Sequence, residues 1–209
     1  VPETTGARPG SGRELHDGLA PEVLRAGPPP VPVLAAPFSA RTADPGGSDL
    51  DLVHAWMNRP HVAEFFGQAW SRRDWAGELA GQLAGTYSRP FVVARDGTDV
   101  GYVELYRAAR DVIAGHYPAD AGDIGLHIAI GSPGDTGRGL GPAIVGAFAR
   151  ALFAVDPACR RVMLEPDAAN RAARSAALRA GMRLLGEIDL PHKRAALFVL
   201  PRTEEDVPG

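Results

Sequence analysis

The chain has little of what would send a protein out of the cell, into a membrane or onto nucleic acid. Cys159 is the only cysteine among 209 residues, so no intramolecular disulfide and no cysteine-based zinc cluster is available. No apolar run approaches the ~18 residues of a membrane span, and no basic stretch followed by an apolar one opens the sequence. A cytoplasmic protein without a membrane span is expected. The six histidines include no i, i+4 pair and none sits beside a clustered carboxylate pair, so no metal is expected. Excess positive charge is also missing: the net charge is −3, which argues against a nucleic-acid partner.

What is present suits one globular α/β domain. Hydrophobic residues make up 45% of the chain and charged residues 22%, proportions that fill a core and leave a polar surface. The charge is unevenly placed. Residues 1–137 hold 11 basic side chains against 17 acidic ones, whereas residues 138–183 hold eight arginines against Asp156, Glu165 and Asp167. A basic block inside an acidic protein fits a polyphosphate-bearing small molecule better than DNA, although solvation of two helices explains it as simply.

Residues 1–37 are rich in Pro, Gly and Ala and read as an arm outside the core, extended where Pro28-Pro29-Pro30-Val31-Pro32 clusters. A strand is expected over 38–42, and Asp44-Pro45-Gly46-Gly47-Ser48 is a turn ending in a helix cap. Helices follow to Met57, from Pro60, and from a Ser71 cap, the last carrying Trp75, Leu79 and Leu83. Residues 90–95 and 100–106 form a hairpin, in which Tyr102, Glu104 and Tyr106 share one face. After a loop at 107–122 come a strand over 123–130, a glycine-rich break and a helix opened by Pro142, with Ile144, Phe148 and Leu152 on one face. A strand at 161–165, a helix at 170–180 and strands at 183–188 and 195–200 complete a domain over 38–201, leaving a tail at 202–209. The layout is a mostly antiparallel mixed sheet flanked by helices, with one βαβ unit.

The strand, glycine loop and helix at 123–155 form a candidate phosphate cradle: Gly137, Gly139 and Gly141 let backbone N–H groups approach an anion, and the helix start adds its positive end. A plain glycine-rich turn would look the same. The dinucleotide fingerprint is incomplete because Pro142 interrupts it, and the Gly-Lys-Ser/Thr of a P-loop is absent.

Arg138-Gly139-Leu140-Gly141, followed by Asn170-Arg171-Ala172-Ala173 and Gly181-Met182, resembles the GNAT superfamily of N-acetyltransferases over about residues 38–200. That resemblance implies a GNAT fold, with Arg138, Gly139, Leu140 and Gly141 on the pyrophosphate of coenzyme A. Ile128 and Ile130 would offer backbone groups to its pantetheine, and Asn170 would contact the cofactor beyond. Many members carry a tyrosine general acid seven residues after the asparagine, where this chain has Ala177. Trp56-Met57-Asn58-Arg59-Pro60-His61-Val62, Gly101-Tyr102-Val103-Glu104-Leu105-Tyr106 and Gly125-Leu126-His127 look like the branch that acylates hydroxylamine intermediates of hydroxamate siderophores, including the mycobactin lysine N-acyltransferases. By that resemblance His127 and Asp167 are catalytic.

The implied chemistry suits these residues. An N-hydroxy amine is largely neutral near pH 7, and an imidazole with an ordinary pKa of about 6.5 can take the proton it sheds on acylation. His127 is expected to accept or orient that proton, and Asp167 to fix the imidazole or bind the substrate nitrogen. A buried histidine satisfied by backbone is the plainer account of His127, and a turn residue that of Asp167. Asn58, His61, Glu104 and Tyr106 are expected to contact a small-molecule amine acceptor, and His116-Tyr117 to approach it. Trp56, Phe65, Phe66, Trp70 and Trp75 read as core. The donor is an acyl-coenzyme A, with acetyl, succinyl and longer chains all open, or an acyl carrier protein. An aminoglycoside or small-amine acetyltransferase and a coenzyme A-binding module without turnover are the competing readings.

Overall fold

The computed structural model describes residues 13–208. A short helix α1 (Pro21–Arg25) precedes β1 (Phe38–Thr42), after which α2 (Ser48–Met57), α3 (Pro60–Phe66) and α4 (Arg72–Ala84) follow one another. The hairpin β2 (Ser88–Arg95) and β3 (Thr98–Arg107), then β4 (Ile124–Ile130), α5 (Leu140–Val155), β5 (Arg161–Leu164), α6 (Arg171–Arg179), β6 (Arg183–Leu190) and β7 (Lys193–Pro201) complete the order. The strands form one seven-stranded sheet in the order β1-β2-β3-β4-β5-β7-β6. Only the β4–β5 pair is parallel, as the single βαβ unit requires.

The sheet is covered on both faces because its strands alternate two apolar sets. Phe91, Val93, Val103 and Leu105 point toward Ile144, Phe148 and Leu152 of α5, the helical stripe expected from the sequence. Val92, Tyr102 and Ala129 point the other way, onto Leu50, Val53 and Trp56 of α2 and Trp75 and Leu79 of α4. Ser71 caps α4 by accepting from the Asp74 amide. Ser48 is not a cap: Gly47 holds the N-cap position and Ser48 is already helical. Pro142 lies in the first turn of α5 rather than at its opening, where its missing N–H costs no helical hydrogen bond.

The described part of the N-terminal segment, from residue 13, does not lie clear of the sheet; residues 1–12 of the expected arm lie outside the described residues. The Arg107 guanidinium, buried against the sheet, donates to the carbonyls of Ala26, Gly27 and Pro28, and Arg89 donates to that of Pro29. Further back, the Leu15 amide donates to Arg110 O at 2.7 Å and the Val112 amide to Arg13 O at 2.9 Å. A proline-rich chain cannot pair with itself, and here its carbonyls are satisfied by arginines from β2 and β3 instead.

Candidate active site

β4 and β5 pair only at Ile124–Val162 and Gly125–Met163, so the two strands part after one turn of the ladder. The opening leads into a cavity of about 1100 Å³. Leu126, His127 and Ile128 of β4 form one wall, Leu164, Glu165, Pro166, Asp167, Asn170 and Ala173 another. The end of α3 and the α4 face of Gly77, Glu78, Gly81 and Gln82 form a third, and Arg13, His192 and Lys193 also reach it.

At the bottom of the cleft His127 is held between two buried carboxylates. Its Nδ1 lies 3.0 Å from Glu104 Oε2, and its Nε2 is in short contact with Glu165 Oε1. Glu104 also accepts from Gln82 Nε2 at 3.1 Å and from Arg13 Nη2 at 3.0 and 3.1 Å. Arg13 Nη1 lies 2.7 and 2.9 Å from the two imidazole nitrogens. Glu165 accepts from the Tyr106 hydroxyl at 2.6 Å and faces Lys193 Nζ at 3.4 Å. The Tyr106 ring stacks on the imidazole, with centroids 4.8 Å apart, and the edge of Phe66 meets it at 6.4 Å.

Burial would favour the uncharged form of each group, and the neighbours reverse this for both acids. Burial raises Glu104, but Arg13 and His127 outweigh it and hold the carboxyl at about 2. Burial likewise raises Glu165, which His127 and Lys193 pull well below the usual carboxylate range. Burial lowers His127 and the two glutamates more than reverse it, so the imidazole stands above its ordinary value. The ring is thus arranged to stabilise a proton that it receives.

Gly125 is required by this geometry. A Cβ there would lie 1.9 Å from the Tyr106 ring, so only glycine lets the phenol cross β4 to reach Glu165. The loop beyond β4 turns through left-handed residues at Gly137 and Gly139, the latter being the N-cap of α5. Pro142 withdraws one of the amides a helix start offers, leaving those of Gly139, Leu140 and Gly141. Arg138 is exposed beside them and Leu140 is buried into the core. An extended cofactor arm with a pyrophosphate fits these residues, since β4 has no β5 partner beyond Gly125, along the stretch that leads to the cradle.

Several of the expected site residues are engaged by neighbours within the chain. Asp167 lines the cavity but does not hold the imidazole: its Oδ1 accepts from the Ala169 amide in a local turn, and Glu165 takes the place expected of it. Glu104 and Tyr106 are buried beneath the cavity, where they hold His127 and Glu165. Asn58 ends α2 and ties it to the segment after α3 by donating to His54 O and Trp70 O, while His61 Nε2 meets Ile130 O at 3.0 Å and braces α3 against β4. That contact also occupies the Ile130 carbonyl, while Ile128 faces the cavity. Asn170 lines the cavity and caps α6 by accepting from the Ala173 amide. Ala177 is fully buried in the core, so no proton carrier stands at that position. His116 and Tyr117 stay in the loop, Tyr117 donating to Asp123. Trp56 and Trp75 are core, whereas Phe65, Phe66 and Trp70 line the cavity, Phe66 and Trp70 also packing against that core.

The sequence reading missed Glu165 as a partner of the histidine, although an acid closing the apolar strand Val162-Met163-Leu164 is a local signal. It also missed Gln82, Lys193 and Arg13, for which the sequence carries no local signal. Among the described residues no helix is long and apolar enough to cross a membrane, and no cluster of three or more His, Cys, Asp or Glu is arranged to hold a metal ion.

Residues 46–190 match the acetyltransferase (GNAT) domain. The lysine N-acyltransferase MbtK of Mycobacterium sp. (strain MCS) is 44% identical over 94% of this chain and 80% of that protein. The MbtK of Mycobacterium tuberculosis (strain ATCC 25618 / H37Rv) is 42% identical over 90% of this chain and 88% of that protein. Among solved structures, an uncharacterised protein from Bacillus halodurans superposes with a TM-score of 0.74, 26% identity, and coverage of 83% of this chain and 90% of that one. With the strand splay, the glycine cradle and a seven-stranded sheet in place, the chain belongs to the GNAT family of acyltransferases.

Proposed function

We propose that this enzyme transfers an acyl group from acyl-coenzyme A to the N-hydroxylated side-chain amine of lysine, ornithine or a related diamine, a step of hydroxamate siderophore biosynthesis. The observation that carries the reading is the imidazole of His127 held between Glu104 and Glu165 on the wall of the β4–β5 opening. The similarity to lysine N-acyltransferases supports the acceptor class, as does that to the N-hydroxyputrescine acetyltransferase of Acinetobacter baumannii (strain ATCC 17978 / DSM 105126 / CIP 53.77 / LMG 1025 / NCDC KC755 / 5377), 29% identical over 72% of this chain.

The donor supplies an acyl carbon activated as a thioester, held by the amides of Gly139, Leu140 and Gly141, by Arg138 and by the free edge of β4 at Ile128. A neutral hydroxylamine nitrogen needs no deprotonation before it attacks that carbon. It must lose its proton as the C–N bond forms and the C–S bond breaks. His127 takes this proton on a ring nitrogen, and Glu104 and Glu165 stabilise the imidazolium. The same imidazolium then protonates the departing sulfur, the task that no residue at Ala177 performs. Asp167, free of the imidazole on the cavity wall, binds the acceptor's nitrogen end. No Gly-x-Ser-x-Gly elbow is present, so transfer is direct, within a ternary complex. The reading places the enzyme in the cytoplasm with its soluble acceptor.

The test follows thiol release from acetyl-, succinyl- and long-chain acyl-coenzyme A with N-hydroxylysine, N-hydroxyornithine, N-hydroxycadaverine and their unhydroxylated parents. Turnover confined to hydroxylated amines is expected. Preference for aminoglycosides or plain amines would assign the protein to small-amine acetylation instead.

A further inference from the structure

We infer that Arg13, delivered from the N-terminal segment, is a positioning residue for His127, balancing the two buried glutamates so that the imidazole is available to take the acceptor's proton. The inference rests on the proposed acyl transfer for its kinetic consequence, but its physical content is independent of the acceptor.

Arg13 is not a loose side chain that happens to fall into a cleft. Its carbonyl accepts from the Val112 amide, the Leu15 amide next to it donates to Arg110 O, and the intervening Glu14 pairs with Arg110 and bridges to Asp111. Farther along, Arg107 and Arg89 hold the carbonyls of residues 26–29. The segment is therefore fixed at both ends, and its placement aims one guanidinium under the cavity floor. There Arg13 meets Glu104 and both ring nitrogens, and its guanidinium carbon lies 5.4 Å from the centre of the Tyr106 ring.

The charged and titratable groups around His127 and Arg13 come from five places: Arg13 on the N-terminal segment, Glu104 on β3 beside the uncharged Tyr106, Asp111 after β3, Glu165 after β5, and His192 and Lys193 at the β6–β7 turn. The Tyr87 hydroxyl donates to Asp111, whose carboxyl burial raises, and burial keeps His192 uncharged. With Arg13 and Lys193 both charged, the two glutamates are balanced while the imidazole is neutral. Without Arg13 that balance is met only by an imidazolium. Arg13 opposes protonation of His127 through space, whereas Glu165 and Glu104 favour it. Removing the guanidinium therefore leaves the ring protonated at a pH where the native enzyme holds a usable base.

The test uses Arg13→Met, which keeps length and removes charge, and Arg13→Lys, which restores charge without the planar fork. Where the methionine variant does not fold, Val112→Pro withdraws the amide that anchors Arg13. Proline suits that position, because Val112 opens a short 3-10 helix and Asp111 before it is extended. Two readouts are taken: the titration of the His127 ring by NMR on the free protein, and kcat/KM against pH with the donor and acceptor found active. In Arg13→Met the ring should titrate about one pH unit higher or more. The acid limb of kcat/KM should move up equally, giving a roughly tenfold loss at the foot of the profile that vanishes at high pH. Arg13→Lys should recover most of the shift. An unmoved His127 titration in a folded Arg13→Met protein would overturn the inference. So would a rise in KM with the pH profile in place, which would make Arg13 an acceptor contact, or a rise in kcat/KM at every pH, which would make it a plug. Silence of the acceptor panel would count against the proposed function alone, since the NMR titration needs no turnover.

Discussion

The Tyr106 hydroxyl donates to one oxygen of Glu165 while the ring of Tyr106 lies against His127, whose Nε2 meets the other oxygen of the same carboxylate. One tyrosine thus holds both the base and its acid partner, and it does so from a fully buried position. Removing its hydroxyl strips a donor from a buried carboxylate, for which the cost is about 1–3 kcal/mol. Tyr106→Phe should lower the unfolding free energy from urea denaturation by that amount while the stacked ring stays in place. Equal stability of the two proteins would show that water replaces the phenol.

Gly125→Ala places a methyl inside the Tyr106 ring, since the nearest ring carbon stands 1.9 Å from the ideal Cβ. The ring must move off His127, and overpacking of this kind costs about 1–3 kcal/mol or more. Activity should fall further than stability does, because the displaced phenol also releases Glu165. A protein with unchanged turnover would contradict the stacked arrangement.

His127→Ala should reduce kcat by about 10²–10⁴-fold, the usual worth of a positioned proton acceptor. Coenzyme A affinity should be retained, since its proposed contacts lie along Ile128 and at Arg138 to Gly141. Calorimetric titration with coenzyme A separates the two effects, and full turnover in the folded variant would remove His127 from the mechanism.

Acid should destabilise the folded domain through the two glutamates under His127, which hold their charge in the folded state far below the pH at which they take up protons when unfolded. Glu104 is held at about 2 against an ordinary 4.5, and His127 and Lys193 hold Glu165 well below the usual carboxylate range. A carboxyl depressed in the folded state contributes stability that is present above its unfolded value and is lost as pH falls toward its folded value. Denaturant midpoints should therefore decline from about pH 4.5 downward. A flat profile between pH 5 and pH 3 would refute the pairing of both glutamates.

Asn170→Ala removes the cap of α6, and about 0.5–2 kcal/mol of stability should go with it. Asn170→Asp keeps the cap. If Asn170 also touches the cofactor, coenzyme A affinity should drop in the alanine variant by more than the fraying of α6 explains, with a similar drop in the stable aspartate variant. Normal affinity in Asn170→Asp would leave it a cap alone.

Element order, hairpin, the central β-α-β unit and the face shared by Tyr102, Glu104 and Tyr106 were legible in the sequence, because each depends on spacing within one segment: the two-residue alternation of strands, the α5 stripe of Ile144, Phe148 and Leu152, and the turn and cap residues that end them. The motif residues around Gly139, Asn170 and His127 pointed to the GNAT family for the same reason, being short and local. Tertiary structure alone decided which acid serves His127. Glu165 and Asp167 stand two residues apart, and only the direction in which the chain leaves β5 puts the first under the imidazole and turns the second into a local backbone hydrogen bond. It likewise decided that Arg13 lies 114 residues from His127 in the chain and beside it in space. That proximity depends on hydrogen bonds to the carbonyls of a proline-rich segment, and main-chain partners leave no pattern of side chains for a sequence to display.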